Sequence, residues 1–381
     1  MRISVVSPVD PRWAGTNAIA DVRLCSALAD QGNDVEWIVP SVGPRREINR
    51  DTVLSLHDVV RRFDVRFVRT PRRDGPRAVA RILPLLMSQL AGAVIQHYPD
   101  CIISRDVRLL VPLLATRRKG RAVPWLHEYR GKFIEHYVFR KVSCLLATNS
   151  AIATDVQRHA RNVPAFITGN PVFEERVIYG RRTTKEVARR MLGLNHARPF
   201  IVYTGKLYPG MRELEYLLDA AKNLPDCEFL MTGGQPPAVR SIQAEIAIRG
   251  IQNVALIGFL QGAEETRLYQ QAADILVSYY SIHDHPFARH NLPNKLAEYM
   301  TTGNPVIVAD FPAVRDLATG ENAVLVAPDD ADALIEALRN LLRDPRRGSR
   351  LGARAQTVVQ EHSFERVAEH LTRFLASSTT N

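Results

Sequence analysis

The sequence predicts an α/β protein built from two doubly wound domains in tandem, their sheets facing across a cleft. Three observations predict it. Short apolar runs alternate with amphipathic stretches from one end to the other, which is the pattern of a parallel sheet with helices on both faces. The alternation occurs as two series of about six or seven strands each, and one such sheet fills a domain. The chain has 381 residues, 46% of them apolar and 24% charged. At roughly 150 residues per domain that allows two or three cores and excludes a disordered or collagen-like chain.

In the first series, strands are expected at Ile3–Ser7, Val35–Val39, Val65–Val68, Cys101–Ser104, Val123–Leu126, Cys144–Ala147 and Ala165–Thr168. Helical periodicity falls between them at Ala18–Ala29, Ala78–His97, Ile134–Arg140 and Ala151–Arg158. The second series reads as strands at Phe200–Thr204, Glu228–Thr232, Val254–Ile257, Ile275–Tyr279, Val306–Ala309 and Ala323–Val326. Its helices are expected at Glu213–Lys222, Ala238–Arg249, Glu264–Ala273, Pro293–Thr302, Ala331–Leu342 and Arg350–Leu375. The stretch 169–197 opens with Gly169-Asn170-Pro171, turn chemistry that ends a strand, and carries a polar helix over Thr184–Leu192. The expected domains are therefore 1–175 and 185–360, with a last helix at about 360–378 returning to the first.

Formal net charge is +10, and all of it lies in one half. Residues 1–180 hold 27 Lys and Arg against 17 Asp and Glu, while residues 181–381 hold 23 of each. An anionic partner for the first half is implied. Arg61, Arg62, Arg66, Arg69, Arg72, Arg73, Arg77 and Arg81 form one cluster; Arg117, Arg118, Lys119 and Arg121 form another. Three readings apply: a solvated face, a face docked on anionic lipid, or nucleic-acid binding. No nucleic-acid motif accompanies the charge, so no nucleic-acid partner is expected. The longest apolar stretch, Ile82–Ile95, is shorter than the roughly 20 residues a bilayer span requires. Cys25, Cys101, Cys144 and Cys227 form no paired motif, which suits buried thiols in a reducing compartment. The expected location is cytoplasmic, with peripheral attachment to the inner face of the membrane as an option.

Ligands of open parallel sheets bind outside the carboxyl ends of the strands. The strongest signal there is Asn291-Leu292-Pro293-Asn294-Lys295-Leu296-Ala297-Glu298-Tyr299. Pro293 marks a helix start, Lys295 puts a cation in the first turn, and Glu298 lies three residues on along the same face. Phosphate, cation and diol acceptor within one turn describe a nucleotide-diphosphate clamp; a Lys–Glu surface pair is the plain alternative. Asp330-Ala331-Asp332 looks like a metal motif but sits where acidic residues cap a helix. His283-Asp284-His285 has no further ligand at standard spacing. No metal is expected.

The run LPNKLAEYMTTGNPVIVADFPAVRDL resembles the donor-binding segment of glycosyltransferase family 4, in its Pro-x-Lys-x-x-Glu-Tyr subgroup. Further pieces match in order: 201–234, 320–338, the Gly loop and helix within 7–40, and the strand ends IISRD (102–106) and PWLHEY (124–129). The resemblance implies a GT-B fold, two Rossmann-like domains facing a cleft. It implies a retaining, metal-independent hexosyltransferase that takes a sugar from a nucleotide-diphosphate donor. No cofactor beyond that donor substrate is implied. The acceptor would be a glycan or lipid-linked molecule, in cell-surface polysaccharide or glycoconjugate synthesis.

By the same resemblance, Glu298 holds the ribose and Lys206 the diphosphate, with Gly205 in the same loop. The turn Asn291, Leu292, Pro293 holds the distal phosphate, with Lys295 beside it. Gly15 and Thr16 admit the phosphates or sugar, His127 reaches the donor sugar, and Phe259 lies near the base. Two positions depart from the pattern. His290 stands where many members carry a carboxylate. Met211 stands where a second phosphate-binding Lys is usual, and Arg212 is the neighbour able to supply that charge. A non-catalytic partner subunit and a sugar-nucleotide epimerase are the alternatives.

Overall fold

The computed structural model describes residues 1–9, 16–41, 50–56, 63–69, 87–94, 96, 99–115, 121–172, 183–194, 198–260, 262–284 and 287–378. Gly15, His285 and most of the Arg61–Arg81 and Arg117–Lys119 clusters lie outside these residues, as does the first part of the expected helix 78–97.

The chain divides into two compact units: Met1–Thr168 with Phe364–Asn381, and Gly169–Ser363. The first holds a seven-stranded parallel sheet in the order β3-β2-β1-β4-β5-β6-β7. Its strands are β1 Arg2–Val6, β2 Asp34–Ser41, β3 Asp64–Arg69, β4 Cys101–Ser104, β5 Arg121–Leu126, β6 Leu145–Ala147 and β7 Ala165–Ile167. The second holds a six-stranded parallel sheet in the order β10-β9-β8-β11-β12-β13. These are β8 Phe200–Thr204, β9 Glu228–Thr232, β10 Val254–Gly258, β11 Ile275–Ser278, β12 Val306–Ala309 and β13 Val324–Val326. In each sheet the first strand of the unit lies inside the order, so the strand order reverses there and the loops on either side part.

The strands are continuous apolar runs because both faces of each sheet are covered. In β8, Ile201 and Tyr203 enter one core with Phe229, Met231, Val277 and Ile307. Phe200 and Val202 enter the core on the other face, with Leu230, Leu276, Val306 and Val308. The alternation follows from the two-residue period of a strand.

Two helices differ from the sequence reading. Val107–Ala115 is helical although Pro112 lies inside it; burial of Val107, Leu109, Leu110 and Leu113 outweighs the missing backbone donor. The helical periodicity over 350–375 is not one helix. It divides into Pro345–Val359, a 3₁₀ turn Gln360–His362, and Phe364–Ser377. Ser363 has extended backbone at the break, and the last helix belongs to the first unit. Among the described residues, no helix is long and apolar enough to cross a membrane. All four cysteines are free and buried.

Candidate functional site

In the second unit the site is built where β8, β9 and β10 end. The Gly205 N–H donates to Thr232 O at 3.1 Å, and the Gly233 N–H donates to Gly258 O at 2.6 Å. A Cβ on Gly233 would stand 1.7 Å from the Gly205 carbonyl oxygen. With φ of +119°, Gly233 can only be glycine, and the three loops stack backbone on backbone.

Lys295 reaches back over this stack. Its Nζ lies 3.8 Å from the Tyr203 ring centre and 5.0 Å from that of Tyr280. A Cβ on Gly205 would meet the same Nζ at 2.8 Å, so glycine leaves room for the ammonium. Burial pulls the Lys295 ammonium down to about 8, with Glu213 and Glu298 opposing the shift. Glu213 is itself buried, and the Tyr203 hydroxyl donates to its Oε1 at 2.9 Å. Burial, then Glu213, pushes that hydroxyl well above its ordinary value.

Glu298 is held at the end of β8. Gln270 Nε2 donates to Glu298 Oε2 at 3.3 Å and to Thr204 Oγ1 at 3.1 Å. The Thr204 N–H donates to the Tyr299 hydroxyl at 2.7 Å, which pins the Glu298 helix to the same strand. The structure thus brings Gly205, Lys295 and Glu298 together around Thr204. Asn291, Leu292 and Pro293 form the turn before that helix, with the Asn291 N–H on Ala288 O and the Leu296 N–H on Pro293 O, both at 3.0 Å.

Lys206 and Arg212 are exposed on the loop and helix after Gly205. The Arg212 N–H is occupied by Asp284 Oδ2 at 2.7 Å. Met211 points inward, 2% exposed, its Sδ accepting the Tyr208 N–H at 3.3 Å. His290 is buried in the 3₁₀ turn Ala288–His290. Phe259 is 61% exposed just after β10. Asp330 caps the helix Ala331–Arg343, its Oδ1 accepting the Ala333 N–H at 2.8 Å.

In the first unit a polar array lies at the carboxyl ends of β1, β4 and β5. Thr16 begins the helix Thr16–Asp30, which carries Asp21. Asp21 accepts the Ser7 hydroxyl and pairs with Arg105 Nε at 2.6 Å. Arg105 lies over the Trp125 ring at 4.0 Å, and the Trp125 and His127 rings are 5.2 Å apart. Trp125 Nε1 donates to Thr168 Oγ1 at 3.1 Å. Burial, then the Arg105 charge, holds the His127 imidazole well below its ordinary value. His127 is therefore neutral near pH 7, and among the described residues its Nε2 has no hydrogen-bond partner.

The sequence reading missed Tyr203, Glu213, Gln270, Asp21 and Trp125. Glu213 carried a weak signal, an acidic residue in a helix first turn where it reads as a dipole complement. The others sit in ordinary apolar or amphipathic patterns.

Residues 198–344 match the family model described as "Glycosyl transferases group 1". The D-inositol 3-phosphate glycosyltransferase of Xylanimonas cellulosilytica is 26% identical over 52% of this chain and 46% of its own length. The putative teichuronic acid biosynthesis glycosyltransferase TuaC of Bacillus subtilis is 23% identical over 82% of this chain and 81% of its own. The chain spans about half the length of the first of these. Among solved structures, the sucrose-phosphate synthase of Thermosynechococcus elongatus superposes with a TM-score of 0.77 at 18% identity, covering 99% of this chain and 98% of that one. Anabaena HepE in complex with UDP gives 0.73 at 17% identity, covering 99% and 100%. The fold is that of the GT-B glycosyltransferases.

Proposed function

We propose that the chain is a glycosyltransferase that moves a sugar from a nucleotide-diphosphate donor to an acceptor. The observation that carries the reading is the placement of Glu298, fixed by Gln270 beside Thr204 and close to the Lys295 charge, inside the segment that matches the family model. Glu298 suits a ribose diol, which offers two hydroxyl donors to one carboxylate. Lys206 and Arg212, both exposed, are the cations for the leaving diphosphate, where negative charge grows as the glycosidic bond breaks. The Asn291–Pro293 turn and Lys295 serve the distal phosphate side, and Phe259 offers a face for the base. Gly15, Thr16 and a neutral His127 serve the donor sugar. The transfer is taken as retaining and independent of metal, with the nucleotide sugar as the sole added group. The positive first half is the side for a glycan or lipid-linked acceptor and for any anionic membrane surface, in a cytoplasmic setting.

Release of nucleoside diphosphate from candidate UDP, GDP, ADP and TDP sugars tests this. Wild type should turn over one class of donor, and Glu298→Ala should lose about 100-fold in kcat/KM, the scale of a lost charge-assisted contact. Turnover unaffected by Glu298→Ala would refute the assignment. A second reading, a GT-B subunit without catalysis, draws on Met211, which is buried where a phosphate-binding cation is usual. Wild type that neither binds nor releases any nucleotide would favour it.

A further inference from the structure

The first and last residues of the second unit meet one another. Val172 pairs with Ser363 in a parallel bridge, and its N–H donates to His362 O at 2.9 Å. Gly169, at φ +64°, packs so that a Cβ would stand 3.2 Å from His362 Nδ1. Asn170, between them, turns its side-chain amide onto the carbonyl oxygen of Leu292. One residue beside the chain's passage between units therefore grips the centre of the Asn291–Pro293 turn.

That carbonyl needs an outside donor. In a helix it would accept from Leu296, but the Leu296 N–H is already on Pro293 O. The proline that follows Leu292 also disfavours helical backbone there. Leu292 is buried, so a carbonyl without a partner would be costly there, and its turn would relax to find one.

We propose that Asn170 is a positioning residue for the donor turn, holding Leu292 so that the 291–293 backbone is fixed before a ligand arrives. The binding consequence rests on the nucleotide reading above; the grip itself does not. Because Gly169–Val172 is bonded to His362–Ser363 on its other side, the same contact ties the turn to both segments that lead out of the unit.

The test uses the full chain with Asn170→Ala and Asn170→Asp. Asp keeps the size of Asn but cannot donate at neutral pH, and it brings a negative charge to the carbonyl. Hydrogen exchange of the ligand-free protein should show the Asn291 and Leu296 amides exchanging about tenfold faster in both variants, with the sheet amides unchanged. The donor KM should rise about fivefold with kcat within about twofold, Asp at least as impaired as Ala. An Asn170→Asp variant that behaves as wild type, unchanged exchange at those two amides, or a rise spread uniformly over the unit would overturn the proposal. If wild type binds no nucleotide, the functional reading fails, and the exchange result alone decides the grip.

Discussion

At the residue scale, the chemistry of the site follows from where charge is buried. Lys295 carries a lowered ammonium pKa of about 8 against an ordinary 10.5, because tyrosine rings replace its water. Between those two values the unfolded chain holds more protons than the folded one, so this lysine's contribution to stability rises as pH rises through that window. Under the proposed function, affinity for a diphosphate should run the other way, since the Lys295 charge proposed to attract it is lost above about 8. Nucleotide binding measured by calorimetry from pH 7 to 9 should therefore weaken with a break near 8, and Lys295→Met should remove the break. A pH-independent affinity in wild type would contradict the placement of Lys295 near the phosphates. His127 is held neutral by burial and Arg105, so in the proposed transfer its role would be that of a hydrogen-bonding group rather than a cation. His127→Ala should cost about 100-fold in kcat, the scale of losing one oriented transition-state partner, with a smaller change in KM.

At the element scale, the last helix shows what the sequence made legible and what it did not. The strands announced themselves because parallel strands covered on both faces must be apolar throughout. Pro293, Lys295 and Glu298 were readable because a helix start, a cation and a carboxylate at three-residue spacing share one face. Gln270 and Glu213 were not, because their meaning depends on loops brought together from distant parts of the chain. The break within 350–375 was harder to place: a last helix at about 360–378 was expected beside a helical reading of 350–375, because apolar periodicity continues across Ser363 and only packing sets where one helix ends and the next begins. Phe364–Ser377 packs in the first unit. Asn33 Nδ2 donates to Thr372 Oγ1 at 3.0 Å, Arg121 Nη2 donates to Leu375 O at 2.6 Å, and the Phe166 and Phe374 rings are 5.5 Å apart. Leu371 is fully buried there. Leu371→Ala should lower the stability of the first unit by about 2–5 kcal/mol, the range for a core leucine truncated to a methyl. Denaturation followed by Trp37 and Trp125 fluorescence reports it, since both indoles are buried in that unit. An unchanged transition would mean the helix adds little to that core.

At the scale of the whole molecule, two separate cores make two separable stabilities. The first unit's core gathers Val6, Ile38, Ile102, Leu110 and Leu145; the second gathers one cluster on each face of its sheet. A chain of this size with two cores need not unfold in one step. A nucleotide that binds Glu298 and its neighbours stabilises the folded second unit by mass action, by about 2.7 kcal/mol at a concentration 100 times its Kd. Scanning calorimetry with and without the best nucleoside diphosphate should therefore raise the transition that contains the second unit, and leave the tryptophan-reported transition of the first unit nearly in place. The Leu371→Ala variant supplies the complementary perturbation, lowering the first transition while the nucleotide-dependent shift of the second stays the same size. If nucleotide instead raised both transitions equally in wild type and in the variant, the two cores would be unfolding as one, and the expectation of two separable stabilities would have to be abandoned.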